Sequence, residues 1–157
     1  MNIPVLFRNH YQMGYVVRDM EKAIANLKEK FGVANWHVRS FGPEAPVVAL
    51  GRAYVQRVMI ELVQATPNEK SIYSDWIPAS DSALRLHHFG YLIDSEEDWR
   101  QAIAQCEAAG CPAAMAGSAG EIVDFYYADT VAQLGHYCEL IRLKIPSEDY
   151  FAEVPRN

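Results

Sequence analysis

The chain has 157 residues, of which 50% are hydrophobic and 22% are charged, so its composition excludes an intrinsically disordered protein. Lys and Arg number 14 against 20 Asp and Glu, and the resulting net charge of -6 without a basic cluster argues against a nucleic-acid partner. The apolar runs are too short to span a membrane, and the N-terminus lacks a secretory pattern. These features predict a soluble, cytoplasmic protein with no membrane partner.

A first module of residues 8–63 begins with a predicted strand that contains Gln12 and Gly14. An amphipathic helix follows, because apolar residues recur at helical spacing: Met20, Ala23, Ile24, Leu27 and Phe31. Asp19 is placed to cap the start of this helix and Gly32 to cap its end. Three β-rich runs complete the module, at residues 36–40, 47–50 and 54–63.

A connector of residues 64–85 separates this module from the next one. It contains Pro67, Asn68 and Pro78 with several Ser and Asp residues, a composition typical of irregular structure. Residues 71–76 within it have the pattern of a short helix.

The second module, residues 86–143, repeats the plan of the first. A strand containing His88 and Gly90 precedes a helix whose apolar stripe consists of Trp99, Ala102, Ile103, Cys106 and Ala109. Ser95 and Asp98 form a predicted capping box, and Gly110 stands where a C-terminal cap is expected. Three β-rich runs follow at residues 113–116, 121–127 and 136–143, and the tail of residues 144–157 is predicted to lie on the surface or to fray.

The repeat predicts the fold class. The sequences of the two modules align with a nearly constant offset in residue number, since 88 − 12 = 76 and 139 − 61 = 78. Each module is predicted to be β-α-β-β-β, and a pseudo-twofold relates them. The expected fold is therefore α+β, a single domain over residues 1–157 with one cupped β-sheet and flanking helices.

Three cysteines, Cys106, Cys111 and Cys138, lie in segments predicted to be helix or strand. No Cys-x-x-Cys pair is present, so we interpret them as reduced and buried thiols and not as metal ligands.

Four polar residues occupy equivalent strand positions in the two modules. Gln12 and His88 lie in the first strands, whereas Glu61 and Glu139 lie in the last strands among apolar neighbours. Because a buried carboxylate is costly without a partner, something must neutralise the two glutamates. A pseudo-twofold would bring all four together, and one imidazole with three oxygen donors suits a six-coordinate divalent ion with two open positions.

The spacing of Gln-x-Gly, Glu-Leu-Val, His-x-Gly and Glu-Leu-Ile resembles the vicinal-oxygen-chelate superfamily, which includes glyoxalase I and methylmalonyl-CoA epimerase. The resemblance covers nearly the whole chain, with its most specific motifs at residues 86–91 and 135–141. Residues 71–76 and 124–129 are also similar to segments of this family. The resemblance implies a glyoxalase-like fold in which Gln12, Glu61, His88 and Glu139 bind one divalent metal ion (Zn, Ni, Co, Mn or Fe), in an order similar to that of glyoxalase I.

The function implied is a metal-dependent lyase or isomerase that acts on a small carbonyl or acyl-thioester substrate through a metal-stabilised enolate. Glu139 and Glu61 are the predicted catalytic bases, and no organic cofactor is expected. The alternatives are a metal-dependent ring-cleaving dioxygenase and a non-catalytic binding protein of the bleomycin-resistance type. Relatives commonly form dimers, so a homodimer is expected by analogy.

The sequence leaves two further assignments open. His10 competes with Gln12 as the first ligand, although it lies two residues outside the glycine register. Four aromatic residues are predicted to pack in the core, with the lining of a substrate pocket as the alternative: Trp36, Tyr54, Tyr73 and Tyr126.

Overall fold

The computed structural model describes residues 4, 6–67 and 69–157. Residues 1–3 and 5 of the N-terminus and Asn68 of the predicted connector therefore lie outside the described residues. The first module contains β1 (His10–Val17), α1 (Met20–Phe31), β2 (His37–Ser40), β3 (Val47–Val55) and β4 (Val58–Ala65). The second contains β5 (Leu84–Leu92), α2 (Glu96–Ala108), β6 (Ala113–Ala119), β7 (Val123–Ala128) and β8 (Tyr137–Leu143), with short helices α3 (Val131–Leu134) and α4 (Ser147–Tyr150).

The first module pairs its strands in the order β2-β3-β4-β1. β1 is parallel to β4, whereas the β2–β3 and β3–β4 pairs are antiparallel. In this register Gly14 lies directly opposite Glu61, and Gln12 lies opposite Met59.

The second module repeats this arrangement in the order β5-β8-β7-β6. β5 is parallel to β8, and the β7–β8 and β6–β7 pairs are antiparallel. Gly90 lies opposite Glu139 and His88 lies opposite Tyr137, so the two registers are equivalent residue by residue. The fold is α+β with two β-α-β-β-β modules, as the repeat predicts.

Helix α1 begins and ends where its sequence indicates. The Asp19 carboxylate accepts a hydrogen bond from the Lys22 amide at 3.0 Å, and Gly32 ends the helix with a left-handed φ of 74°. The buried face of α1 packs on one face of the module's strands, with these core residues: Val17, Met20, Ala23, Leu27, Val33, Ala49, Ala53 and Leu62. Phe31, at the C-terminal end of the predicted stripe, is 70% exposed.

Helix α2 follows the same rules in the second module. The Ser95 hydroxyl accepts a hydrogen bond from the Asp98 amide at 3.0 Å, and Gly110 adopts a φ of 73° just beyond the helix. Ala102 and Cys106 are buried against the strands, in this core: Tyr91, Ile93, Ala102, Cys106, Cys111, Tyr126, Ala128, Cys138 and Leu140.

One strand assignment from the sequence is wrong. Residues 54–63 are predicted as one strand, but the chain reverses at Gln56 and Arg57, so that Val55 pairs with Val58 in a hairpin of β3 and β4. Gln56 takes a positive φ of 55° in this turn. The turn contains none of the Gly, Asn or Asp residues that usually mark a two-residue hairpin loop, which explains why it is missed.

The predicted connector contains a 3-10 turn at Ser74–Trp76 inside the segment expected to be a short helix. The C-terminal segment is bound to the first module and does not fray. Tyr54 exchanges backbone hydrogen bonds with Pro155 and Asn157, and the Asn157 side chain accepts bonds from the Ala34 and Asn35 amides.

The chain divides into two compact units, and the boundary falls within β1 and within β5. One unit contains Gln12–His87 and Glu153–Asn157, and the other contains the residues up to Tyr11 together with His88–Ala152. Among the described residues, no helix combines the length and the apolar character that crossing a membrane requires.

Candidate metal centre

Gln12 and Glu61 form a buried polar pair in the first module. They are only 2% and 4% exposed, and the Gln12 amide nitrogen donates to Glu61 Oε2 at 3.2 Å. Both side chains lie on the strand face opposite α1, because side chains alternate along a strand and Val17 and Leu62 face the helix. Gly14 stands opposite Glu61 and carries no side chain.

Arg52 also contacts Glu61, although the sequence did not identify it as a site residue. It lies directly opposite Glu61 in the β3–β4 register, and its Nε donates to Glu61 Oε2 at 2.8 Å. The side chains are 24% and 5% exposed, respectively. No local signal identifies this pairing, because it depends on the turn at residues 56–57, which places residue 52 opposite residue 61.

His88 and Glu139 form the corresponding pair in the second module. His88 is fully buried, Glu139 is 8% exposed, and His88 Nε2 lies 3.4 Å from Glu139 Oε2. The ring of Tyr127 contacts the His88 ring edge-on, with 5.2 Å between the ring centroids. Gly90 stands opposite Glu139, as Gly14 does opposite Glu61.

The two pairs differ in the residue opposite the glutamate. Tyr127 of β7 occupies the position opposite Glu139 that Arg52 of β3 occupies opposite Glu61. One glutamate therefore has a guanidinium as its cross-strand neighbour, and the other has an uncharged phenol.

These donors fit a divalent cation chemically. Carboxylate, imidazole and amide oxygen are accepted ligands of zinc, nickel, cobalt, manganese and iron, and a buried carboxylate gains from a cationic partner. Each module contains one such carboxylate in its last strand and one neutral donor in its first strand: Glu61 with Gln12, and Glu139 with His88.

The other histidines have structural contacts. His10 is exposed, and its ring packs against Phe89 and Tyr91. His87 is fully buried, and its Nε2 lies 3.0 Å from the Ile72 carbonyl oxygen in the connector. His37 Nε2 lies 3.5 Å from Glu153.

The aromatic residues predicted for core or pocket pack mainly in the core. Trp36 packs against the core of the first module and donates its indole N–H to the Val33 carbonyl at 3.0 Å. Tyr126 belongs to the core of the second module, and Tyr73 stacks beside His87 with ring centroids 4.8 Å apart. Tyr54 is half-buried beneath the Arg156 guanidinium of the C-terminal segment.

The motif of residues 124–129 carries a structural ion-pair network. Asp124 accepts a hydrogen bond from Ser118 at 2.5 Å and pairs with Arg142 at 2.6 Å and Lys144 at 2.9 Å. The Ser118 hydroxyl and the Lys144 ammonium hold the pKa of the Asp124 carboxyl below its usual value. Arg142 also pairs with Glu96 at the start of α2, which ties that helix to β8.

The three cysteines are free and buried, which confirms the prediction of reduced thiols. Burial raises the pKa of the Cys106 thiol to about 11 and also raises the pKa of the Cys138 thiol. The Cys106 and Cys138 thiols are therefore uncharged at neutral pH, which makes them poor metal ligands and poor nucleophiles.

Several solved structures share this fold. A methylmalonyl-CoA epimerase from Mycobacterium tuberculosis is 14% identical over 96% of this chain and 97% of that chain, with a TM-score of 0.65. A variant of the Streptomyces coelicolor methylmalonyl-CoA epimerase in complex with 2-nitronate-propionyl-CoA is 14% identical over 87% and 98%, with a TM-score of 0.62. The hypothetical protein BH1468 from Bacillus halodurans C-125 is 13% identical over 89% and 97%, with a TM-score of 0.60.

No curated protein matches this sequence. Residues 11–127 match the sequence model of one protein family, and this match spans most of both modules. The chain therefore belongs to the Glyoxalase/Bleomycin resistance protein/Dioxygenase superfamily.

Proposed function

We propose that this protein is an isomerase or lyase whose active site is one divalent metal ion bound by Gln12, Glu61, His88 and Glu139. Its substrate is a small carbonyl compound or an acyl thioester, and the reaction passes through an enolate. The ion is zinc, nickel, cobalt, manganese or iron.

The observation that carries the proposal is the repeated buried pair. Each module independently places a glutamate beside the donor of its first strand, at 3.2 Å for Gln12–Glu61 and at 3.4 Å for His88–Glu139. Both pairs occupy the same register, with a glycine opposite the glutamate. Core packing alone favours apolar residues at such positions, so a buried polar pair repeated in both modules supports a shared chemical role.

The two glutamates and His88 support the binding of a metal ion in particular. Glu61, His88 and Glu139 are all buried, and each offers a ligand atom that divalent ions accept. Two carboxylates can balance the charge of one divalent ion, and Gln12 can add a neutral oxygen donor.

The solved relatives support an acyl-thioester substrate. The Mycobacterium tuberculosis and Streptomyces coelicolor proteins are named methylmalonyl-CoA epimerases, and the second was solved with 2-nitronate-propionyl-CoA. A nitronate resembles an enolate in shape and charge. By analogy of fold, we extend enolate chemistry on acyl thioesters to this chain.

A divalent ion bound by this set would polarise the substrate carbonyl and stabilise the negative charge of the enolate. A carboxylate, Glu61 or Glu139, removes the proton from the carbon beside the carbonyl and then holds it. Return of that proton to carbon completes the isomerisation. Burial of both glutamates keeps bulk water away from the held proton.

The first test is the metal content of protein purified without a histidine tag. We expect about one equivalent of divalent metal in the parent, and less than about a tenth of that in His88→Ala/Glu139→Ala, because the variant loses two ligands. His10→Ala is the matched control, since His10 is an exposed histidine two residues before Gln12, and it should keep the metal. A parent that takes up none of the five metals would contradict the proposal and favour a binding protein of the bleomycin-resistance type.

The second test is proton exchange at the reacting carbon. In D2O, the metal-loaded parent should incorporate deuterium into a 2-substituted acyl thioester or a 2-oxoaldehyde hemithioacetal, measured by NMR. Glu61→Gln or Glu139→Gln should slow exchange by roughly 100-fold or more, because amides do not accept the proton. If both variants keep the metal and exchange at the parent rate, neither glutamate is the base.

A further inference from the structure

Arg52 and Glu61 form an ion pair whose geometry is set by the hairpin of β3 and β4. The two residues are direct cross-strand partners, and Arg52 Nε lies 2.8 Å from Glu61 Oε2. The same oxygen also accepts the hydrogen bond from Gln12. One proposed metal ligand therefore carries a fixed counter-charge supplied by its own module.

The second module has no such charge at the equivalent position. Tyr127 stands opposite Glu139, and its ring packs against His88. The residues directly opposite the two proposed carboxylate ligands thus differ in charge although the strands and registers match. A positive charge opposite the glutamate is not required by the fold, since the other module forms the same register with Tyr127 at that position.

We propose that Arg52 sets the net charge of the metal centre: it weakens divalent-metal binding and in return favours the anionic intermediate of the reaction. This inference rests on the proposed function. With two carboxylates, a divalent ion and Arg52, the loaded centre carries one net positive charge, whereas without Arg52 it would be neutral. A guanidinium stays protonated at every relevant pH, so this contribution is constant.

Two effects of Arg52 on the metal oppose each other. Its charge repels the ion, and the repulsion is strong because both the Arg52 and Glu61 side chains lie mostly out of water. Its Nε–H also orients the Glu61 carboxylate, and loss of such orientation typically weakens metal binding by about 10–100-fold. The two effects predict opposite signs when Arg52 is replaced, so a suitable variant separates them.

Arg52→Gln is that variant, because the hydrogen bond to Glu61 comes from Nε. In glutamine the amide nitrogen is separated from Cα by as many bonds as Nε is in arginine. The substitution therefore removes the charge and keeps an N–H donor at the same distance along the side chain. Gln12 continues to orient the same carboxylate oxygen.

The experiment measures the affinity of metal-stripped protein for zinc and for nickel by competition with a chelator. We expect Arg52→Gln to bind each metal at least about tenfold more tightly than the parent, because the repulsion is removed. Arg52→Lys keeps the charge and should not bind more tightly. With saturating metal, deuterium exchange by Arg52→Gln should nevertheless fall by on the order of tenfold, because the enolate loses a favourable charge.

Arg39→Gln is the matched control for loss of a positive charge. Arg39 lies opposite Leu50 on the same face of the same module, and its guanidinium packs over the Phe41 ring at 5.1 Å. Its replacement should change metal affinity by less than about twofold, since an exposed charge is screened.

Equal or weaker metal binding by folded Arg52→Gln, with a parent that binds metal, would overturn the role of Arg52 and leave the proposed function standing. If neither protein binds metal, the proposed function fails and this inference fails with it. Thermal unfolding of each variant establishes folding. Should Arg52→Gln not fold, Arg52→Met removes the charge with a side chain of similar length, and the same tighter binding is expected.

Discussion

Cys106 shows how burial governs the chemistry of a residue. This residue lies on the buried face of α2 and is 2% exposed, and desolvation raises the pKa of its thiol to about 11. The folded protein keeps this proton at pH values where an unfolded thiol, with a pKa near 9.0, loses it. Unfolding therefore releases a proton between these pH values, and the free energy of unfolding must decrease as the pH rises through that window.

The prediction is a steeper loss of stability with pH in the parent than in Cys106→Ala. The difference should reach at most about 1.4 kcal/mol per pH unit between pH 9 and pH 11, because a single proton is involved. Urea unfolding at several pH values measures it. Below pH 8 the two proteins should differ by a constant amount, which reflects the lost packing of the side chain. Parallel curves above pH 9 would contradict a buried, protonated thiol.

The proposed ligands illustrate what single residues reveal in a sequence. Glu61 and Glu139 stand out because a carboxylate within an apolar strand is costly without a partner. Arg52 does not stand out, because an arginine in a half-exposed strand is common. Its significance depends on a cross-strand partner nine positions away, and that pairing is invisible until the turn between the strands is located.

Among the elements, the helices are the most predictable from sequence. Asp19 and Ser95 bond to the amides three residues ahead, as helix-capping chemistry requires, and Gly32 takes the left-handed conformation that ends α1. These signals are local, so they need no knowledge of the tertiary structure. The ends of both apolar stripes are less predictable, since Phe31 and Ala109 are exposed although they continue the periodicity.

The strands depend on partners that local sequence does not specify. The β3–β4 hairpin turns at Gln56 and Arg57, and neither residue type favours the positive φ that Gln56 adopts. The C-terminal segment is a similar case, because its hydrogen bonds go to Tyr54, Ala34 and Asn35, more than a hundred residues away. Polar residues and prolines indicate an exposed tail, but they do not indicate which surface binds it.

For the whole molecule, the sequence repeat is the feature that predicts most of the fold. Equivalent registers in the two modules follow from equivalent sequences, and the offset of the proposed ligands changes by only two residues between strands. The difference between the modules, Arg52 in one and Tyr127 in the other, becomes visible only when the registers are aligned. The sequence repeat thus predicts the fold and the proposed ligand set. The difference between Arg52 and Tyr127 predicts how the charge of the proposed site is set.

The proposed metal ligands are drawn from both modules, Gln12 and Glu61 from the first and His88 and Glu139 from the second. Metal binding should therefore stabilise the whole protein. At a free metal concentration of 100 times Kd, the gain is about 2.7 kcal/mol. For a chain of this size, that gain should raise Tm by roughly 5–10 °C.

Calorimetry of metal-stripped protein, with and without added metal, measures this shift. Glu61→Ala and His88→Ala each remove one ligand, from the first and the second module respectively, and each should abolish most of the increase in Tm. His10→Ala should keep the full increase, because its ring packs outside the proposed ligand set. A shift that survives the loss of Glu61 but not the loss of His88 would mean that the second module alone holds the ion. The repeat would then describe the two strand registers without describing the site.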